Sequence, residues 1–128
     1  MSMKVRMTDH SIRIRLGRDE IARLCTGETI DMTCRFPAAS LLSFELGTME
    51  ECDDLSAVLS GPTVSVGVPY RWIDGWLDDD REGFMSEIEL GADERLEIRL
   101  EKDFKCLHRD LGGSDQTFPH PDEKKTGQ

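Results

Sequence analysis

The sequence predicts an α+β fold dominated by strands, either a mostly antiparallel β-sheet or a partly closed barrel, carrying two short helices. Three observations lead there. Apolar residues alternate with polar ones along most of the chain, the period-two mark of half-buried strands. Only two short segments switch to helical spacing. The order strand, helix, strand, strand then recurs, with Ile12-Arg13-Ile14-Arg15-Leu16 set above Val64-Ser65-Val66-Gly67-Val68 at an offset of 52 residues.

Taken in order, Val5 and Met7 begin a short alternating run, and Asp9-His10 turns it into a second run of Ile12, Ile14 and Leu16. Gly17 suits the N-cap of a first helix, with Asp19 and Glu20 favoured by the dipole of its first turn. Ile21, Leu24 and Cys25 share one face of that helix, and Gly27 fits its C′ position. Ile30, Met32, Cys34 and Phe36 alternate as a strand that Pro37 interrupts, and Leu42, Phe44 and Leu46 define the next. Thr48–Asp54 reads as an acidic loop. Leu55–Leu59 and Thr63–Val68 bracket Ser60-Gly61-Pro62, a hairpin turn. Pro69 suits the first helical position, and Trp72, Ile73, Trp76 and Leu77 form a helical stripe weakened by Gly75. Phe84–Leu90 and Leu96–Leu100 are the last strands, turning at Gly91-Ala92-Asp93-Glu94.

At the same offset Ile21 meets Ile73, Leu24 meets Trp76, and Phe44-Glu45-Leu46 meets Leu96-Glu97-Ile98. The chain therefore reads as one α+β domain over residues 1–108, with repeats at about 11–55 and 63–104, and an irregular tail over 109–128. Each half resembles in shape the strand–helix–strand units of small duplicated β-barrels, swapped-hairpin transcription-factor domains among them.

The charge balance narrows the function. The formal net charge is −10, which argues against nucleic acid, whose binding rests on neutralising phosphates. Residues 1–18 run the other way: Lys4, Arg6, Arg13, Arg15 and Arg18 against Asp9 give +4 and leave −14 for the remainder. No apolar run reaches the ~18 residues of a membrane span, and Met1–Arg6 lacks the apolar core of a signal peptide. Cys25, Cys34, Cys52 and Cys106 are widely spaced, with no C-x-x-C pair. Reduced thiols in a cytoplasmic protein fit that spacing better than disulfides or zinc. No metal or other cofactor is implied.

The densest set of reactive groups is Lys102, Asp103, Cys106 and His108. A cysteine two residues from a histidine is the kernel of a nucleophile–base pair, but no third group is defined, and a metal reading needs His120 or His10 as well. A solvated strand end with Phe104 and Cys106 turned inward is the simpler account. The Trp72/Trp76 pair fits core packing better than an exposed contact surface. Lys4, Arg6, Arg13 and Arg15 are the candidate ligand-binding set, since Arg13 and Arg15 fall on the outer face of their strand and guanidinium groups grip anions. Ordinary cross-strand ion pairs with Arg95, Glu97, Arg99 and Glu101 are the competing account. The acidic stretches Glu50–Asp54 and Asp78–Asp80 lack the ligand spacing of a calcium loop. The common phosphate-loop, dinucleotide, zinc-protease and nucleophile-elbow signatures are absent.

Two segments together resemble an uncharacterised family of short bacterial proteins of unknown function. One is Ser11-Ile12-Arg13-Ile14-Arg15-Leu16 with the Asp19-Glu20-Ile21 helix start. The other is Glu101-Lys102-Asp103-Phe104-Lys105-Cys106-Leu107, followed by Asp115 and Phe118-Pro119-His120-Pro121. This chain has Gly17 where that family usually shows Ser or Thr, and His120 where it usually shows Asn. The resemblance implies a bacterial cytoplasmic protein and assigns no activity. The expectation is thus a small non-enzymatic binding or interaction module, monomeric or homodimeric, with an unidentified protein partner. The alternatives are a small enzyme or metal-dependent protein around Cys106 and His108, and an anion or nucleic-acid contact through the N-terminal basic face.

Overall fold

A computed structural model describes residues 3–104. The elements run β1 (Lys4–Thr8), β2 (Ser11–Leu16), α1 (Arg18–Cys25), β3 (Ile30–Phe36), β4 (Ser40–Met49), β5 (Ser56–Ser60), β6 (Thr63–Pro69), α2 (Tyr70–Ile73), β7 (Gly83–Gly91) and β8 (Glu94–Lys102). The strands form two four-stranded sheets, ordered β1-β2-β8-β7 and β3-β4-β6-β5. In each, the two central strands are parallel and the two flanking pairs antiparallel. Four of the six strand pairings are antiparallel, as expected, but the strands divide into two mixed sheets, and the expected closure is corrected, since neither sheet closes into a barrel. Hairpins give antiparallel pairs locally, but the chain leaves the first sheet after β2 and returns to it only at β7, so the central partner of β2 comes from a distant segment.

The core lies between the sheets. Alternation puts Ile12, Ile14 and Leu16 of β2 and Ile98 and Leu100 of β8 inward from the first sheet, with Phe44, Leu46, Val66 and Val68 inward from the second. Both helices add to it. In α1, Ile21 and Leu24 are buried, Gly17 is the N-cap, and its N–H donates to Glu20 Oε1 at 2.8 Å. Gly27, at φ 91°, supplies the left-handed residue that ends the helix.

The second helix is shorter than the stripe of Trp72, Ile73, Trp76 and Leu77 predicts. Pro69 ends β6 and caps the helix rather than opening it, and only Tyr70–Ile73 are helical. Gly75 takes φ +81° and turns the chain, yet Trp76 beyond the turn is fully buried, so the apolar stripe outlasts the helix. The Trp76 indole N–H donates to the Arg81 carbonyl at 2.9 Å, and its ring packs 4.8 Å from Phe84. β4 also runs to Met49, into the segment expected as acidic loop. No helix among the described residues is long and apolar enough to cross a membrane.

Candidate anion-binding face

The same alternation that buries Ile12, Ile14 and Leu16 turns Ser11, Arg13 and Arg15 outward, and on β8 it turns Glu97, Arg99 and Glu101 outward. Strand register then decides which of these meet. Arg6 of β1 lies opposite Arg13, Arg13 pairs in parallel with Arg99, and Arg99 lies opposite Met85. Three arginines thus occupy one row across three adjacent strands. The next row is Lys4, Arg15, Glu101 and Gly83. These two rows carry net +4. The row on the other side is Thr8, Ser11, Glu97 and Glu87, at −2.

Glu101 is the hub. Arg13 Nε donates to its Oε1 at 2.9 Å, Arg15 Nε lies 3.7 Å from the same oxygen, and Arg99 Nη1 is 3.8 Å from Oε2. Arg99 also pairs with Glu97, and that hydrogen bond, helped by the two carboxylate charges, raises its guanidinium pKa above the usual arginine value. One carboxylate serving three guanidinium groups leaves their charge only partly offset. Arg6 makes no ion pair to a described residue.

The face is concave. A cavity of about 740 Å³ runs over Arg13, Arg15, Arg99 and Glu101 to Phe84 and Phe104, and a smaller one of about 200 Å³ lies over Lys4, Arg6, Arg13 and Arg15. Gly83 lines the larger one. A Cβ there would sit 2.3 Å from the Leu100 carbonyl oxygen and 2.8 Å from Glu101 Cα, so β7 approaches β8 this closely only as glycine.

All four predicted ligand-binding residues, Lys4, Arg6, Arg13 and Arg15, therefore share this face. Of the proposed catalytic set, Lys102 closes β8, its ammonium 2.7 Å from the Asp79 carbonyl and 5.7 Å from the Trp76 ring centre. Arg81 hydrogen-bonds the Asp79 carboxylate and holds its pKa below the usual range, with Lys102 adding to the effect. Asp103 pairs with Lys4 at 3.2 Å. Cys106, His108 and His120 lie outside the described residues. His10 sits in the β1–β2 turn, its carbonyl accepting from the Glu97 amide. Among the described residues no cluster of three or more histidines, cysteines or carboxylates is arranged to hold a metal. Sequence reasoning missed Arg99 and Gly83 as members of the face. The signal for Arg99 was its outward phase on β8; the missing piece was the parallel register.

The family comparison carries the remaining information. A match runs over residues 3–122. The chain belongs to the family of unknown function DUF7009. That family spans both sheets, the basic face and most of the segment beyond Phe104. A search of curated proteins finds no match.

Proposed function

We propose that this protein is a small non-enzymatic binding module that holds a phosphate-bearing ligand on the outer face of its first sheet. The observation that carries the reading is the row Arg6–Arg13–Arg99, backed by Lys4 and Arg15. Like charges directly opposite one another across strands are destabilising. The fold does not demand that they be positive. In the second sheet the row through Val58, Ser65, Glu45 and Asp31 sits at corresponding strand positions and carries −2. Glu45 and Asp31 in that row are themselves like charges opposite one another, so the fold bears this cost with either sign, and the positive sign of the first sheet's row calls for a cause outside the fold. Phosphate suits the chemistry, because planar guanidinium groups bind its oxygens in pairs.

The ligand is small. Strands lie about 4.8 Å apart, so the arginine row spans roughly 10 Å, the reach of a di- or triphosphate. A long nucleic acid would run on into Glu97, Glu87 and Glu89 and meet a body of net charge −10. The free thiols of Cys25, Cys34 and Cys52 support a reducing, cytoplasmic setting. The recurrence at 52 residues supports an origin by duplication within one domain: it carries Lys4–Thr8 onto Ser56–Ser60, which are β1 and β5. The central parallel registers of the two sheets differ by two residues in that alignment, so the halves have since drifted.

The test is isothermal titration of the full chain with phosphate, pyrophosphate and tripolyphosphate. Affinity should rise with phosphate number, fall with salt, and drop about tenfold or more in Arg6→Ala combined with Arg99→Ala, since each charge-assisted contact is worth roughly 1.5–3 kcal/mol. Absence of binding by the unaltered protein to all three anions would refute the reading.

A further inference from the structure

The four edge strands differ in one respect. β1 carries Lys4 and Arg6, β3 carries Asp31 and Arg35, and β7 carries Glu87 and Glu89, the charges that ordinarily keep sheet edges from pairing with another chain. β5, Ser56-Ala57-Val58-Leu59-Ser60, carries none. Its Val58 and Leu59 are 60% and 71% exposed, the two highest values among the large hydrophobics of the described residues.

The backbone of β5 is set up for a partner. Gly61, at φ 58°, and Pro62 make a two-residue turn of the type whose first position needs positive φ, so Ser60 and Thr63 form its hydrogen-bonded closing pair. Alternate pairs follow suit: Val58 with Ser65 and Ser56 with Gly67 turn their amide and carbonyl groups toward β6. The groups of Ala57 and Leu59 then point away from it. Leu55, in the same phase, illustrates this, since its amide reaches outward to Ser86 Oγ on β7 at 3.1 Å. Ala57 and Leu59 have no such partner among the described residues.

We infer that β5 pairs antiparallel with β5 of a second copy of this chain, across a two-fold axis at Val58, joining two second sheets into one of eight strands. The strand is complementary to itself in that register. Ser56 meets Ser60 of the second copy, Ala57 meets Leu59, and Val58 meets Val58, so small faces large and hydroxyl faces hydroxyl. The exchanged bonds are those of Ala57 and Leu59, the groups left open by β6. Charge selects the same contact. Two copies at −10 each repel, and β5 is the uncharged edge on which they can approach. The acidic segment Glu50–Asp54 of one copy then lies toward the uncharged turn Ser60–Pro62 of the other. The contact is small, so the dimer is reversible, with a dissociation constant in the micromolar range.

Sedimentation and native mass spectrometry of the full chain across a concentration series test this. The expected result is a concentration-dependent dimer that salt strengthens by screening the repulsion, whereas salt weakens phosphate binding. Leu59→Lys should be monomeric with an unchanged melting temperature, and Val58→Lys repeats the test at a second exposed position. Under mild oxidation Val58→Cys should form a covalent dimer, because it faces itself across the axis. Ser60→Cys faces Ser56 and should not cross-link beyond the unaltered protein's own background. A chain monomeric at every accessible concentration, a dimer indifferent to both lysine variants, or equal cross-linking at 58 and 60 would each overturn the proposal.

Discussion

Replacing Glu101 by glutamine keeps the shape of the side chain and removes the charge that three guanidinium groups share. Two opposite effects follow from one geometry. Arg13 at 2.9 Å and Arg15 at 3.7 Å lose an ion pair each, and the two basic rows rise from +4 to +5. These groups are 34%, 38% and, for Glu101, 20% exposed, so water already screens them. Exposed pairs are worth about 0.2–1 kcal/mol each, which puts the loss from these two near 1 kcal/mol. Urea unfolding in low salt should report that loss. In about 1 M salt, where the screening length falls to about 3 Å, most of it should vanish. Tripolyphosphate titrated into the same variant should bind more tightly, because Glu101 no longer competes for the arginines. Lower stability with tighter binding is the expected pair of results. If the stability loss is independent of salt, or if binding weakens, then Glu101 positions the face instead of competing for it, and the electrostatic reasoning fails.

Ser86 is 7% exposed and its hydroxyl accepts from the Leu55 amide, tying β7 to the start of β5. Ser86→Ala strands that amide in a buried site at a cost of about 1–3 kcal/mol. Urea unfolding should show the loss and hydrogen exchange at Leu55 should accelerate; parent-like stability would refute this. Burial, reinforced by Asp74 and Asp78, pushes the Cys25 thiol pKa up, while Cys34 is exposed. Near neutral pH, iodoacetamide should therefore modify Cys34 well before Cys25 in a peptide-mapping time course, and equal rates would refute the assignment. Because the folded thiol holds its proton more tightly, its contribution to stability is complete below the unfolded pKa of about 8.5 and lost as pH rises through the folded value.

Most of the fold was legible because strand alternation is a local property. Ile12, Ile14 and Leu16 declare their phase without reference to any other part of the chain, as do Val64, Val66 and Val68. The second helix misled for the same reason. Trp76 and Leu77 continue a helical spacing, but what holds Trp76 is a hydrogen bond to the Arg81 carbonyl and the ring of Phe84, contacts made beyond a left-handed glycine. Neighbour identity was not legible. Arg13 and Glu101 are 88 residues apart, and nothing in the local pattern of β2 or β8 says that they run parallel, or in which register.

Half of the site was therefore visible from sequence and half was not, and the division has a physical cause. The inward residues of a strand answer to the core, which fixes their chemistry and makes them readable. The outward residues answer to whatever lies opposite them, and that is a matter of register. Arg99 taken alone is one charge in an alternating run, readily explained by its pair with Glu97. Set beside Arg13 and Arg6 it becomes the end of a row of three cations with no carboxylate among them. The second sheet supplies the control that sequence could not: it has the same strand order, the same parallel centre and an equally well-filled inner face, and its outer row is acidic. Since the architecture tolerates either sign, the sign in the first sheet calls for a cause outside the fold, and an anionic ligand is the cause its geometry fits.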